Sequence, residues 1–129
     1  MAYGSLAIDT LNASTGVLAT QNGMTGIAKA WVKFNGGANS TTAGNILSSF
    51  NVSSITVIGT GQYTVNFTTA MPNANYACVV GGLRDSTDTN VVALISTPSP
   101  TTTTQGISTG TASFAYVNYN IVSVVIISS

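Results

Sequence analysis

Large apolar and polar side chains alternate along much of this chain, with the period of two that marks a half-buried strand. In residues 63–67, Tyr63, Val65 and Phe67 share one face, while Thr64 and Asn66 share the other. Residues 28–34 repeat the pattern, setting Ala30, Val32 and Phe34 against Trp31 and Lys33. In residues 50–58, Phe50 and Val52 alternate with Asn51 and Ser53 before Ile55, Val57 and Ile58 turn the run apolar. Between two of these runs lies Gly59-Thr-Gly61-Gln62, whose glycines tolerate the positive backbone angles of a tight hairpin. Residues 76–80, 90–96, 113–119 and 121–127 read as further strands bounded by turn formers. Seven short strands without a helical period predict an all-β fold, an antiparallel β-sandwich or jelly-roll-like domain over residues 28–129.

The connections follow from the same chemistry. Pro72 has no amide hydrogen and breaks a ladder, so 71–75 is a turn. Residues 97–104, which open Thr97-Pro-Ser-Pro100 and continue in threonine, read as an exposed loop. Residues 1–27 are thinly apolar and rich in Gly, Ser, Thr and Asn, with at most one short strand over 6–11. Alone such a segment buries too little surface to offset its ordering entropy. It reads as an extended N-terminal arm whose Leu6, Ile8, Leu11, Val17 and Leu18 form the candidate assembly site, anchoring on another chain.

Charge changes the picture more than hydrophobicity does. Of 129 residues 44% are hydrophobic, which is ordinary, but only 5% are charged where about 25% is usual. The whole inventory is Asp9, Lys29, Lys33, Arg84, Asp85 and Asp88, and the net charge is zero. A neutral chain lacks the basic footprint of a nucleic-acid or anionic-membrane binder. Without charge to hold copies apart, such a surface associates, so homo-oligomerisation is expected. No run reaches the roughly 18 apolar residues of a membrane helix. The start of the chain also lacks a basic segment followed by an apolar one, so synthesis in a cytoplasm without membrane insertion is expected.

Candidate chemistry is sparse. There is no histidine and no glutamate, so neither Ser–His–Asp nor Cys–His catalysis assembles within the chain. Cys78 is the only cysteine; it sits in an apolar run as a small buried hydrophobe, with no disulfide partner and no zinc set. No catalytic, cofactor or metal residues are assigned, and no enzyme activity is expected. Asp85-Ser-Thr-Asp88-Thr-Asn90 holds several oxygen ligands of the calcium type, yet lacks EF-hand spacing and the closing Glu, and reads rather as a polar hairpin tip with Arg84 beside Asp85. Asn-x-Ser/Thr triplets begin at Asn12, Asn39, Asn51 and Asn66, as chance gives in so polar a chain. Aromatic residues at alternating spacing fill a core, whereas Tyr116, Asn118 and Tyr119 are the candidates for a wet polar surface.

Three stretches together carry a resemblance: Lys29-Ala-Trp-Val-Lys-Phe-Asn-Gly36, Ser49-Phe-Asn-Val-Ser-Ser-Ile55 and Gly59-Thr-Gly-Gln-Tyr-Thr-Val-Asn-Phe-Thr-Thr-Ala-Met-Pro-Asn-Ala-Asn-Tyr76. They resemble a module of tail-fibre-like and other virion surface proteins of tailed phages, notably those of marine bacteria and cyanobacteria. Tyr3-Gly-Ser-Leu-Ala-Ile-Asp-Thr-Leu11 is similar to the opening of small phage structural proteins. The resemblance implies a β-rich, trimer-prone structural or binding module on the virion surface, and it carries no functional residues across. A fibre protein needs a stalk, for which residues 1–27 leave no room. The expectation is therefore a capsid decoration (cement) protein held by the major capsid protein. The alternatives are a tail-fibre tip or tail-attached receptor-binding module, with a host surface glycan as possible partner, and a free carbohydrate-binding or adhesion protein.

Overall fold

Alternating side chains bury one face of a strand only when a second layer covers it, and here each layer covers the other. The computed structural model describes residues 27–37, 42–84, 92–95, 98–113 and 115–128. Among them are eight strands and no helix: β1 (Ala28–Phe34), β2 (Ile46–Phe50), β3 (Val52–Gly59), β4 (Gln62–Phe67), β5 (Ala77–Leu83), β6 (Val92–Ile95), β7 (Thr104–Gly110) and β8 (Ile121–Ile127). They form two four-stranded antiparallel sheets, ordered β2-β1-β8-β5 and β3-β4-β7-β6. The all-β expectation holds in this sandwich-like arrangement. The proposed arm residues Leu6, Ile8, Leu11, Val17 and Leu18 lie outside the described residues, as do Asp9, Asp85 and Asp88.

The core lies between the sheets. Ala30, Val32 and Phe34 of β1 and Val122, Val124 and Ile126 of β8 face Tyr63, Val65 and Phe67 of β4 and Ile107 of β7. Phe34 and Tyr63 meet edge to face, with ring centroids 5.1 Å apart. The alternation in β1 and β4 thus reads as expected. It fails at Lys29, which alternation places beside Trp31 but which is only 1% exposed. A register shift between Ala28 and Ala30 against β8 makes Lys29 the extra residue of a bulge, and a bulge re-aims the side chain it carries.

Three expectations are corrected. The run 50–58 is not one strand: Asn51 takes φ 55° and bends the chain from the first sheet into the second, so β2 ends and β3 begins there. The described residues of 113–119 form no strand, and a single bridge joins Tyr116 to Gly110. The sheet position lies instead at β7, whose first residue, Thr104, closes the stretch read as a loop. β7 carries one large apolar residue, Ile107, and holds its place by pairing with both β4 and β6.

The β3–β4 hairpin forms where expected, turning on Gly61 with φ 63°. Two reasons exclude a side chain there. The left-handed angle strains any other residue, and an added Cβ would stand 2.4 Å from the Thr109 carbonyl oxygen.

Candidate functional site

Buried polar groups need partners, so the places where this chain buries them show what its polar chemistry is used for. One cluster closes an end of the sandwich, where β1 runs out, β4 starts, β7 ends and residues 115–120 lead into β8. The Tyr63 hydroxyl donates to the Gly36 carbonyl at 2.6 Å and lies 3.2 Å from Asn118 Oδ1. That oxygen accepts from the Gly61 amide at 2.7 Å. The Thr109 hydroxyl donates to the Val117 carbonyl at 2.6 Å, and the Val117 amide returns to the Thr109 carbonyl at 3.0 Å. The Tyr119 hydroxyl donates to the Gly110 carbonyl at 2.6 Å. Gly36 packs so closely that an added Cβ would fall 2.4 Å from the Tyr119 carbonyl oxygen.

This corrects the reading of Tyr116, Asn118 and Tyr119 as one wet surface. Tyr116 is exposed, Asn118 is half-buried and Tyr119 is 1% exposed. Tyr119 belongs to the core because the 115–120 segment is tied down by backbone bonds rather than carried in a ladder. Its phenol reaches a carbonyl, as a buried tyrosine requires.

A second cluster sits at the bend between the sheets. Asn51 Nδ2 donates to the carbonyls of Lys29 (3.0 Å) and Thr69 (3.1 Å), and its Oδ1 accepts from the Thr69 amide at 2.7 Å. Both hydrogens of this amide are committed, so the triplet starting at Asn51 offers no free acceptor for a glycan.

Neither cluster is arranged for catalysis. The three aspartates lie outside the described residues, and among those described no group of three metal-capable side chains occurs. Beside Tyr119 an open depression of about 250 Å³ is lined by Val80, Gly81, Gly82 and Ala93, with no ionisable side chain other than the tyrosine. Cys78 packs half-buried against the core, and burial pushes its thiol up to about 11. Burial, with Cys78 nearby, also pushes the Tyr76 phenol up to about 12. The Tyr63 phenol is raised by burial as well.

These shifts fix the sign of an alkaline effect. Each group is a neutral acid that the folded chain keeps protonated after the unfolded chain has released its proton. The folded state then binds more protons, and stability falls as pH rises. The melting temperature is expected to decline from about pH 9, where the unfolded thiol ionises, through about pH 12. Thiol labelling near neutrality should be roughly a hundredfold slower in the native protein than in urea, since only the thiolate reacts. Equal labelling rates, or melting that is flat across that range, would contradict the assignment.

The outer face of the first sheet is the remaining feature. Phe50, Trp31, Val125 and Val79 stand abreast across β2, β1, β8 and β5. Trp31 is 37% exposed and Val79 59%. The adjacent row is Ser48, Lys33, Ser123 and Gly81. Sequence reasoning set Trp31 on the face of Lys33, opposite Ala30, Val32 and Phe34, but missed the row, because strand order decides which residues stand abreast.

No protein-family model, no curated protein and no solved structure matches the chain.

Proposed function

We propose that the chain is a non-enzymatic structural protein of a phage virion, a capsid decoration protein on the head surface, built as a jelly-roll-like domain with residues 1–27 as its anchoring arm. The observation that carries this reading is where the polar side chains go. Tyr63, Asn118, Thr109, Tyr119 and Asn51 spend their hydrogen bonds on the protein's own backbone, joining strand ends and sheets. A protein whose polar groups brace its frame is suited to contact, and the near-absence of charge suits contact that is permanent. The resemblance of residues 29–76 to virion surface modules supplies the setting and the expectation of a trimer.

The test uses the full chain. Incubated with undecorated phage heads or with host cells and then sedimented, it should pellet with heads and stay in solution with cells. Replacing Leu6, Ile8 and Leu11 together by serine should abolish the head binding, because those side chains supply the arm's apolar anchor. Binding to cells, with competition against phage adsorption, would favour the tail-tip role. Binding to neither would remove both.

A further inference from the structure

The outer face of the β2-β1-β8-β5 sheet offers more than exposed apolar area, because its two halves differ. One half presents aromatic rings, Phe50 on β2 and Trp31 on β1. The other presents valines, Val125 on β8 and Val79 on β5. All four lie in one row, so the face has a large-ringed side and a small-branched side at the same height. We propose that this face is where a second copy of the chain docks, the aromatic half of one copy against the valine half of the other.

Shape and charge both point to a copy rather than to an unrelated partner. Turning a second copy about an axis parallel to the strands, between β1 and β8, lays its Trp31 over Val125 and its Phe50 over Val79. The same operation carries the polar row onto itself, with Lys33 over Ser123 and Ser48 over Gly81. Lys33 is the only charged residue in these two rows, and it meets a hydroxyl rather than a like charge. Self-complementarity of this kind is what a symmetric interface requires.

Area sets the expected strength. Four strands about 4.8 Å apart and seven residues of about 3.3 Å span roughly 440 Å² of projected face. Two such faces bury on the order of 900 Å², at the low end for protein–protein contacts, and Leu83 on the same face, 53% exposed, extends it. The association is therefore concentration-dependent.

Light scattering on the full-length protein, across a dilution series, tests this without reference to phage heads, so its outcome is separate from that of the virion reading. The wild-type chain should scatter as an oligomer that dissociates on dilution. Val125→Lys, near the centre of the face, should raise the dissociation constant by more than about thirtyfold, and Val79→Lys, on the edge strand, by more than about tenfold. Circular dichroism should show the same β spectrum and cooperative melting in both. Val79 is the more exposed of the two, so its variant carries the result if Val125→Lys unfolds. Ile58→Lys, a change at a similarly exposed residue (54%) on β3 of the other sheet, should leave the oligomer intact. A wild-type monomer at every concentration would overturn the proposal. So would face variants that keep the wild-type mass, or an Ile58→Lys protein that dissociates as they do.

Discussion

Replacing Phe34 by alanine is expected to remove about 3–5 kcal/mol of stability and lower the melting temperature by more than about 10 °C. Phe34 is fully buried, lies in register with Ile46 on β2 and Val122 on β8, and meets the ring of Tyr63 across the core at 71°. Truncation deletes the ring from the first sheet and leaves a cavity beneath a ring of the second. Tyr63 cannot move in to fill it without giving up its hydrogen bond to Gly36. The site therefore relaxes poorly, which places the cost toward the upper end of the range. Since domains of this size are stable by about 5–15 kcal/mol, a large share of the fold is at stake. Urea unfolding of the two proteins measures it, and a loss below about 1 kcal/mol would show that the two layers do not depend on this contact.

Asn51→Ala should cost about 3–4 kcal/mol although the residue is only half-buried. Three side-chain hydrogen bonds disappear at about 1 kcal/mol each, and alanine adds about 1 kcal/mol of strain at φ 55°. Asn51→Gly separates the two contributions, because glycine adopts the angle freely but makes none of the bonds. It should be less harmful than alanine by about 1 kcal/mol in the same unfolding experiment. Identical stabilities for the two variants would mean that the left-handed angle is not maintained in solution.

The strands that could be read from the sequence were those in which the side-chain pattern and the sheet position agree. In β1 and β4 apolar residues face the core at every second position, so their period is visible, whereas β8 reads as a strand by a near-continuous β-branched run broken only at Ser123. β7 defeats that reading because its neighbours, rather than its own apolar content, keep it in place; Gln105, Gly106 and Ser108 are buried between β4 and β6. Residues 113–119 mislead in the opposite direction, since aromatic alternation there belongs to a tethered connection. The Asn51 bend was not legible, because Asn51 fits the alternation of residues 50–53 and its three bonds reach Lys29 and Thr69, contacts that only the folded chain creates. The bracing role of Asn118 and Tyr119 was hidden for the same reason, as Gly61 and Gly110 precede them by many residues.

The pairing of β1 with β8 has a consequence for how the protein is made. β8 is the shared neighbour of β1 and β5, and it comes last among the described strands, with Ala28 in register with Ile127. While a ribosome extends the chain, β3 can close on β4 early, because only a tight turn separates them. In the first sheet only β1 and β2 have such a local route. The sheet's centre stays empty until β8 emerges, and the loop then closed spans nearly the whole described chain, which makes that step slow. Until it is complete, β1 and β5 expose unpaired edges and apolar residues to other nascent chains. Yield in a host should accordingly depend on temperature and chaperone supply more than the stability of the finished fold would suggest.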